Sequence, residues 1–250
     1  MNTTAFITGG SRGLGRNTAL ALAAQGTDVV FTYHSNEAAA KETLQAITDA
    51  GARAAYLQLD VRQPDSFATL VEHLQAQLQA WSKPGLDYLV NNAGVGAHMP
   101  IGQGAADTLD TLYNVHFKGV YLLTEALLPM LQSGGAIVNI STGLTRFALP
   151  GYGAYAAMKG AAEVYTKYLA KELGSRGIRA NAVAPGAIDN DFNAAAFEHH
   201  PEIKTVIADN TALGRVGESE DIGKVVAFLC SDRGAWVNAQ RLEASGGMFL

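Results

Sequence analysis

Short, almost wholly apolar runs alternate along this chain with longer stretches in which apolar residues recur every three to four positions. The runs at residues 4–8, 28–33, 52–59, 86–91, 136–140 and 178–183 read as buried strands, and a short seventh falls near 241–243. Helical periodicity leads from a glycine-rich turn to about Gly26, then fills 36–50, 64–81, 107–131 and 152–175. Strands that are apolar on both faces, each followed by a helix, predict a parallel sheet covered on both sides. Right-handed crossovers make this a doubly wound α/β fold with seven strands. Ligands in such a sheet bind beyond the carboxyl ends of the strands. Chemistry is therefore expected just after Thr8, Tyr33, Asp60, Asn91, Ile140 and Val183.

Composition narrows the class without naming a reaction. With 250 residues, 48% apolar and 16% charged, the chain can bury a large core, and its 27 glycines and 7 prolines never gather into a linker. One domain, 1–250, is expected. A net charge of −5 with no Lys/Arg cluster argues against nucleic-acid binding. The single cysteine, Cys230, excludes a disulfide framework and fits a reducing, cytoplasmic setting. No apolar run reaches the ~18 residues of a membrane span, and no basic segment precedes an apolar one at the start. The pair His199 and His200, followed by Pro201, has no third ligand placed to complete a metal site and reads as a solvated turn.

The first predicted strand runs into Thr8-Gly9-Gly10-Ser11-Arg12-Gly13-Leu14-Gly15. Glycines here let the backbone turn sharply and approach a pyrophosphate, which then rests on the positive end of the following helix. A lone glycine triplet is weak evidence, but later parts of the chain match it. Asn91-Asn92-Ala93-Gly94 follows the fourth strand and Asn114 lies in the next helix. Tyr155 and Lys159 stand four apart, Pro185-Gly186 follows the sixth strand, and Ser245-Gly246-Gly247 lies near the end. In order and spacing these resemble the short-chain dehydrogenases/reductases over nearly the whole chain, and 3-ketoacyl-carrier-protein reductases in particular. The resemblance implies a Rossmann-type fold, with a cofactor half of about 1–145, a catalytic and substrate half of about 146–250, and a lid over about 190–213.

It also implies a nicotinamide dinucleotide held by Gly9, Ser11, Arg12, Gly13, Leu14 and Gly15. Family members that use NAD place a carboxylate at the end of the second strand. Here that end reads His34-Ser35-Asn36, so NADP(H) is favoured over NAD(H), with Arg12, Ser35 and Asn36 around the 2′-phosphate. Asp60 and Val61 are expected to flank the adenine. Asn91, Ala93 and Gly94 are expected to line the ribose and pyrophosphate channel. Pro185, Gly186, the backbone of Ile188, and Asn190 are expected near the nicotinamide carboxamide, with Asn190 where relatives often carry threonine.

Tyr155 and Lys159 share one helix face. An ammonium ~4–5 Å from the phenol at an effective dielectric of ~20 favours the phenolate by roughly 3–4 kcal/mol, or about 2–3 pKa units. On this reading Tyr155 moves the proton while both residues also touch the cofactor. Two hydroxyls compete to orient the substrate carbonyl, and only one can point into the cleft; the resemblance, in which this hydroxyl usually stands a fixed distance before the tyrosine, implies Thr142, with Ser141 a close second. Asn114 resembles the family asparagine that relays protons from Lys159 through a water. His98, Met99 and Pro100 are expected to line one wall of the substrate site.

These readings point to a small ketone or secondary alcohol as substrate. A carrier-protein-linked acyl group is the alternative, for which Arg176 is available as a basic contact. An epimerase or dehydratase retaining its cofactor, and a non-catalytic NADP-binding sensor or regulator, are the rivals. Apolar stripes at Leu122, Leu123 and Leu127 and at Leu169 and Leu173 allow a homo-oligomer, tetramer or dimer, or equally an intramolecular core.

Overall fold

A computed structural model describes residues 2–199 and 202–250. In chain order the elements are β1 (Thr4–Ile7), α1 (Gly13–Ala23), β2 (Asp28–Tyr33), α2 (Glu37–Asp49), β3 (Ala54–Gln58), α3 (Phe67–Ala80), β4 (Leu86–Asn91), α4 (Ala106–Tyr113), α5 (Gly119–Leu127) and β5 (Leu131–Ile140). They continue as α6 (Gly153–Glu172), β6 (Arg179–Pro185), β7 (Ile188–Asp189), α7 (Ala194–His199), α8 (Glu202–Asp209), β8 (Gly217–Glu218), α9 (Ser219–Leu229) and β9 (Arg241–Ala244). Seven strands form one parallel sheet in the order β3-β2-β1-β4-β5-β6-β9, and β7 pairs with β8 outside it. The order reverses between β1 and β4, which opens the crevice where a doubly wound sheet binds ligands.

The predicted class and strand count agree with this architecture. Ala5, Phe6 and Ile7 of β1 and Val29, Val30 and Phe31 of β2 are fully buried, because helices cover both faces. One core layer lies between the sheet and α3, α5 and α6, around Leu74, Leu123, Leu127 and Leu169. The other lies between the sheet and α1, α2 and α9, around Leu22, Ile47, Ile222 and Val226. Leu123, Leu127, Leu169 and Leu173 are thus core residues, and the stripes read as a possible subunit contact serve the interior. Among the described residues no helix is long and apolar enough to cross a membrane.

Three features differ from the sequence reading. The single helix expected over 107–131 is α4 and α5 joined by a π-helical turn, Asn114–Lys118, and closed by a 3₁₀ turn at Leu128–Met130. The joint has a steric cause: a Cβ at Gly119 would sit 2.5 Å from the Val61 carbonyl oxygen, so only glycine passes there. Pro129 then stops the helix and β5 begins at Leu131, five residues earlier than the apolar run suggests. Helix α9 escaped the periodicity reading altogether. It buries Ile222, Gly223, Val226, Ala227 and Leu229 and starts with a capping box between Glu218 and Asp221.

Candidate functional site

The turn after β1 is tied down before any ligand is considered. Thr8 Oγ1 accepts the N–H groups of Asn92 and Ala93, both at 2.9 Å, and Asn92 Nδ2 donates to the carbonyls of Thr8 and Gly9. Gly9 (φ +67°) and Gly13 (φ +54°) take left-handed backbone, and a Cβ at Gly15 would meet the Gly9 carbonyl oxygen at 2.1 Å. Asn92, which the sequence reading passed over, is therefore the clamp of the loop. Ser11 lends its carbonyl to Thr43 Oγ1 on α2, and Leu14 packs half-buried on the core beneath. Helix α1 begins with no side-chain cap and no acidic residue in its first turn. Those N–H groups and the open space above Gly13, which Asn190 Nδ2 faces, suit a pyrophosphate. Arg12 lies 3.8 Å from Asp191 across the same mouth, both exposed.

Past β2, His34 and Ser35 are exposed, and Asn36 caps α2 by accepting the Ala39 N–H at 3.0 Å. Asp60 is not a free partner for an adenine amine. Arg62, which the sequence reading missed, forks onto both its oxygens at 2.7–3.1 Å, and His34 Nε2 stands at 3.5 Å, so the carboxyl is held below its ordinary range. Val61 is buried, with its carbonyl against α5. Asn91 needs a correction. Its amide donates inward to Thr124 Oγ1 at 3.0 Å and Asn139 Oδ1 at 2.8 Å, and Asn139 passes the chain on to Thr166. That is a buried polar ladder between β4, β5, α5 and α6, not a channel wall. Ala93 touches Gly9, and Gly94 is exposed at the mouth.

On the other side of the crevice, helix α6 presents Tyr155 and Lys159 on one face. The two hydroxyls after β5 part company. Thr142 stands beside the Tyr155 phenol, whereas Ser141 Oγ turns away onto Glu163 at 2.5 Å. The Ser141 side chain is therefore outside the cleft. Glu163 also accepts from Thr145 Oγ1 (2.8 Å) and Arg241 Nε (2.9 Å), and Arg241 donates to the Thr142 carbonyl at 3.0 Å, so the 141–145 turn is held from behind. Lys159 is buried, donates to the Ile140 carbonyl at 2.6 Å, and places its ammonium 5.9 Å from the centre of the Tyr155 ring.

The expected lowering of the tyrosine pKa does not occur in the protein by itself. Burial pushes Tyr155 up to about 12, and the Thr142 hydrogen bond only partly opposes this. Burial likewise brings Lys159 down to about 8, against the pull of Glu163. The spacing argument counted the attraction of the pair and omitted the desolvation of both partners. Asn114 opens the π turn, where its carbonyl accepts the Gly119 N–H. The side chain that this turn delivers to the pair is His116, two residues on. Its ring meets the Tyr155 ring edge-on at 5.0 Å and 90°. A lone histidine in a helical stretch gave no signal for this, because the π turn changes which residues face inward.

Pro185 and Gly186 close β6 against β9, with Gly186 too near Ser245 to carry a side chain. Ile188 is buried in β7 and its carbonyl accepts Asn193 Nδ2 at 2.8 Å, while Asn190 Oδ1 accepts the Phe192 N–H. Phe192 is half-exposed, with its ring 6.5 Å from that of Tyr155. His98 stacks edge-on with Tyr152 at 5.4 Å, and the Met99 N–H donates to the Gly151 carbonyl, so this wall is joined to the entry of α6. His199 ends α7, and His200 and Pro201 lie outside the described residues. Arg176 donates to the carbonyls of Leu128 and Leu131 at the start of β5. By the β4 register that is about 20 Å along the sheet from Ile140, at its opposite end from the cleft.

A crevice at a strand-order reversal, floored by a glycine turn and walled by a half-buried tyrosine with a buried lysine behind it, defines a nucleotide-dependent oxidoreductase. The chain belongs to the short-chain dehydrogenase/reductase family, and residues 9–249 match a family model described as enoyl-(acyl carrier protein) reductase. It is 40% identical to the promiscuous reductase LugOII, which catalyses keto-reduction at C1 in lugdunomycin biosynthesis (TM-score 0.93; 99% of this chain, 98% of that one). It is 35% identical to the angucycline C-6 ketoreductase LanV, solved with bound NADP (TM-score 0.93; 99% and 95%). A 3-oxoacyl-[acyl-carrier-protein] reductase of Staphylococcus epidermidis is 32% identical over 100% of both chains.

Proposed function

We propose that this protein is an NADP(H)-dependent reductase that interconverts a small ketone and a secondary alcohol. The observation that carries the reading is the placement of Tyr155 and buried Lys159 on one face of α6, with the lysine fixed to the Ile140 carbonyl and Thr142 beside the phenol. When bound, the reduced nicotinamide supplies hydride to the carbonyl carbon. Thr142 and Tyr155 together bind the carbonyl oxygen, and Tyr155, protonated at neutral pH, gives that oxygen its proton. Lys159 keeps a positive charge beneath the phenol as the negative charge develops there. Asn190 and the N-terminus of α1 would hold the pyrophosphate. Arg12, Ser35 and the Asn36 amide would hold a 2′-phosphate, since the end of β2 carries no carboxylate to repel it.

Arg176 is committed to backbone carbonyls at the far end of the sheet, which leaves the carrier-protein alternative without the basic contact considered for it. The test is a panel of small ketones, 3-ketoacyl and enoyl thioesters, followed as loss of reduced-nicotinamide absorbance with NADPH and NADH in parallel. Turnover of free ketones with NADPH is expected. Turnover confined to thioesters, or none with any ketone, contradicts the assignment.

A further inference from the structure

His116 is 1% exposed, yet neither the fold nor the proton step accounts for all of it. Nε2 lies 2.7 Å from the Val95 carbonyl oxygen and 3.4 Å from the Val95 nitrogen; the much shorter contact needs an N–H, which puts the proton on Nε2 and leaves Nδ1 a bare acceptor. Nδ1 has no partner among the described residues, a costly state for a buried acceptor. The approach to it is kept open by Gly94. A Cβ there would lie 3.1 Å from Cε1 and 3.7 Å from Nδ1, and Gly94 is exposed at the cleft mouth. On its other side the ring stands edge-on to Tyr155. Burial and the Lys159 charge push its pKa down to about 3, so the imidazole stays neutral and can accept without carrying a proton.

We propose that Nδ1 of His116 is a ligand-binding acceptor, taking a hydrogen bond from a hydroxyl of a molecule bound between Gly94 and Tyr155. The proposal rests on the oxidoreductase reading and adds a contact to it. The hydroxyl belongs either to a ribose of the dinucleotide or to the alcohol form of the substrate, and the experiment separates the two.

Three variants divide the functions of the ring. His116→Phe keeps a ring and no nitrogen. His116→Gln keeps a donor at the level of Nε2, and His116→Asn keeps a polar acceptor at the level of Nδ1. Each is measured by binding titration with NADPH, by steady-state kinetics with a ketone and its alcohol, and by melting temperature. Phe and Gln are expected to lose at least ten-fold, and Asn to stay within about three-fold of wild type. The loss falls on the NADPH Kd if the hydroxyl is the ribose's, and on the KM for the alcohol at unchanged Kd if it is the substrate's. Values within two-fold of wild type in both Phe and Gln overturn the proposal. So does a loss that tracks melting temperature across all three, or a failure of all three to fold, since either reduces His116 to a structural part. The wild-type protein and Tyr155→Phe are run alongside: a wild type that turns over no ketone with NADPH removes the oxidoreductase reading itself, whereas an active wild type and an inactive Tyr155→Phe beside unaffected His116 variants remove only this contact.

Discussion

At neutral pH Tyr155 holds its proton and Lys159 holds its charge, and those two states suit the direction of carbonyl reduction. The sign of the pH response follows from the lysine. Its pKa lies below the ordinary value, at about 8, so the ammonium discharges as pH rises through that point and the charge that supports the developing phenolate is lost. The kcat/KM for ketone reduction is therefore expected to be flat below about pH 7 and to fall through an apparent pKa near 8; a flat profile to pH 10 contradicts this. Cofactor choice is a residue-scale matter as well. Arg12 now leans on Asp191 at 3.8 Å, a weak exposed pairing that a 2′-phosphate can displace. Arg12→Ala is expected to raise the Kd for NADPH by about ten- to a hundred-fold and leave that for NADH nearly unchanged. Equal losses for the two remove the cofactor argument.

Among the elements, the turn from β5 into α6 carries the geometry, because Glu163 and Arg241 hold it from outside the cleft. Arg241→Ala frees the Thr142 carbonyl and leaves Glu163 with one less partner. Its kcat should fall about ten-fold with little change in KM, since orientation and not affinity is lost; an unchanged kcat contradicts a positioning role. Gly15→Ala should abolish dinucleotide binding in a titration, because the added Cβ lands 2.1 Å from the Gly9 carbonyl oxygen. The strands, the glycine turn and the Tyr155–Lys159 pair were legible in the sequence, because each is a local pattern with its own period or spacing. The π turn, the clamp formed by Asn92 and the Arg62 fork on Asp60 were not. They depend on close approaches between segments far apart in the chain, such as Gly119 against Val61, which no local period reports.

For the whole molecule, the sheet joins the two functional halves through buried polar bonds as well as through its two apolar layers. The Asn91–Asn139–Thr166 ladder ties β4 and β5 to α6, the helix that carries Tyr155. Asn139→Ala orphans polar groups on both sides at a cost of about 2–3 kcal/mol, which in a chain of this size lowers the melting temperature by roughly 5–10 °C. A shift under 2 °C in a thermal melt contradicts that role. This ladder shows why Asn91 was misread as a cofactor contact: its place in the chain suggests the crevice, while its side chain faces the interior, and orientation is a property of the assembled sheet. The central claim, that the Tyr155 phenol is the proton donor in a dinucleotide-bound cleft, is tested most directly by Tyr155→Phe measured for both NADPH binding and ketone turnover. Binding within about two-fold of wild type with turnover reduced roughly 10²–10⁴-fold is the predicted result. Wild-type turnover from the phenylalanine variant would contradict it.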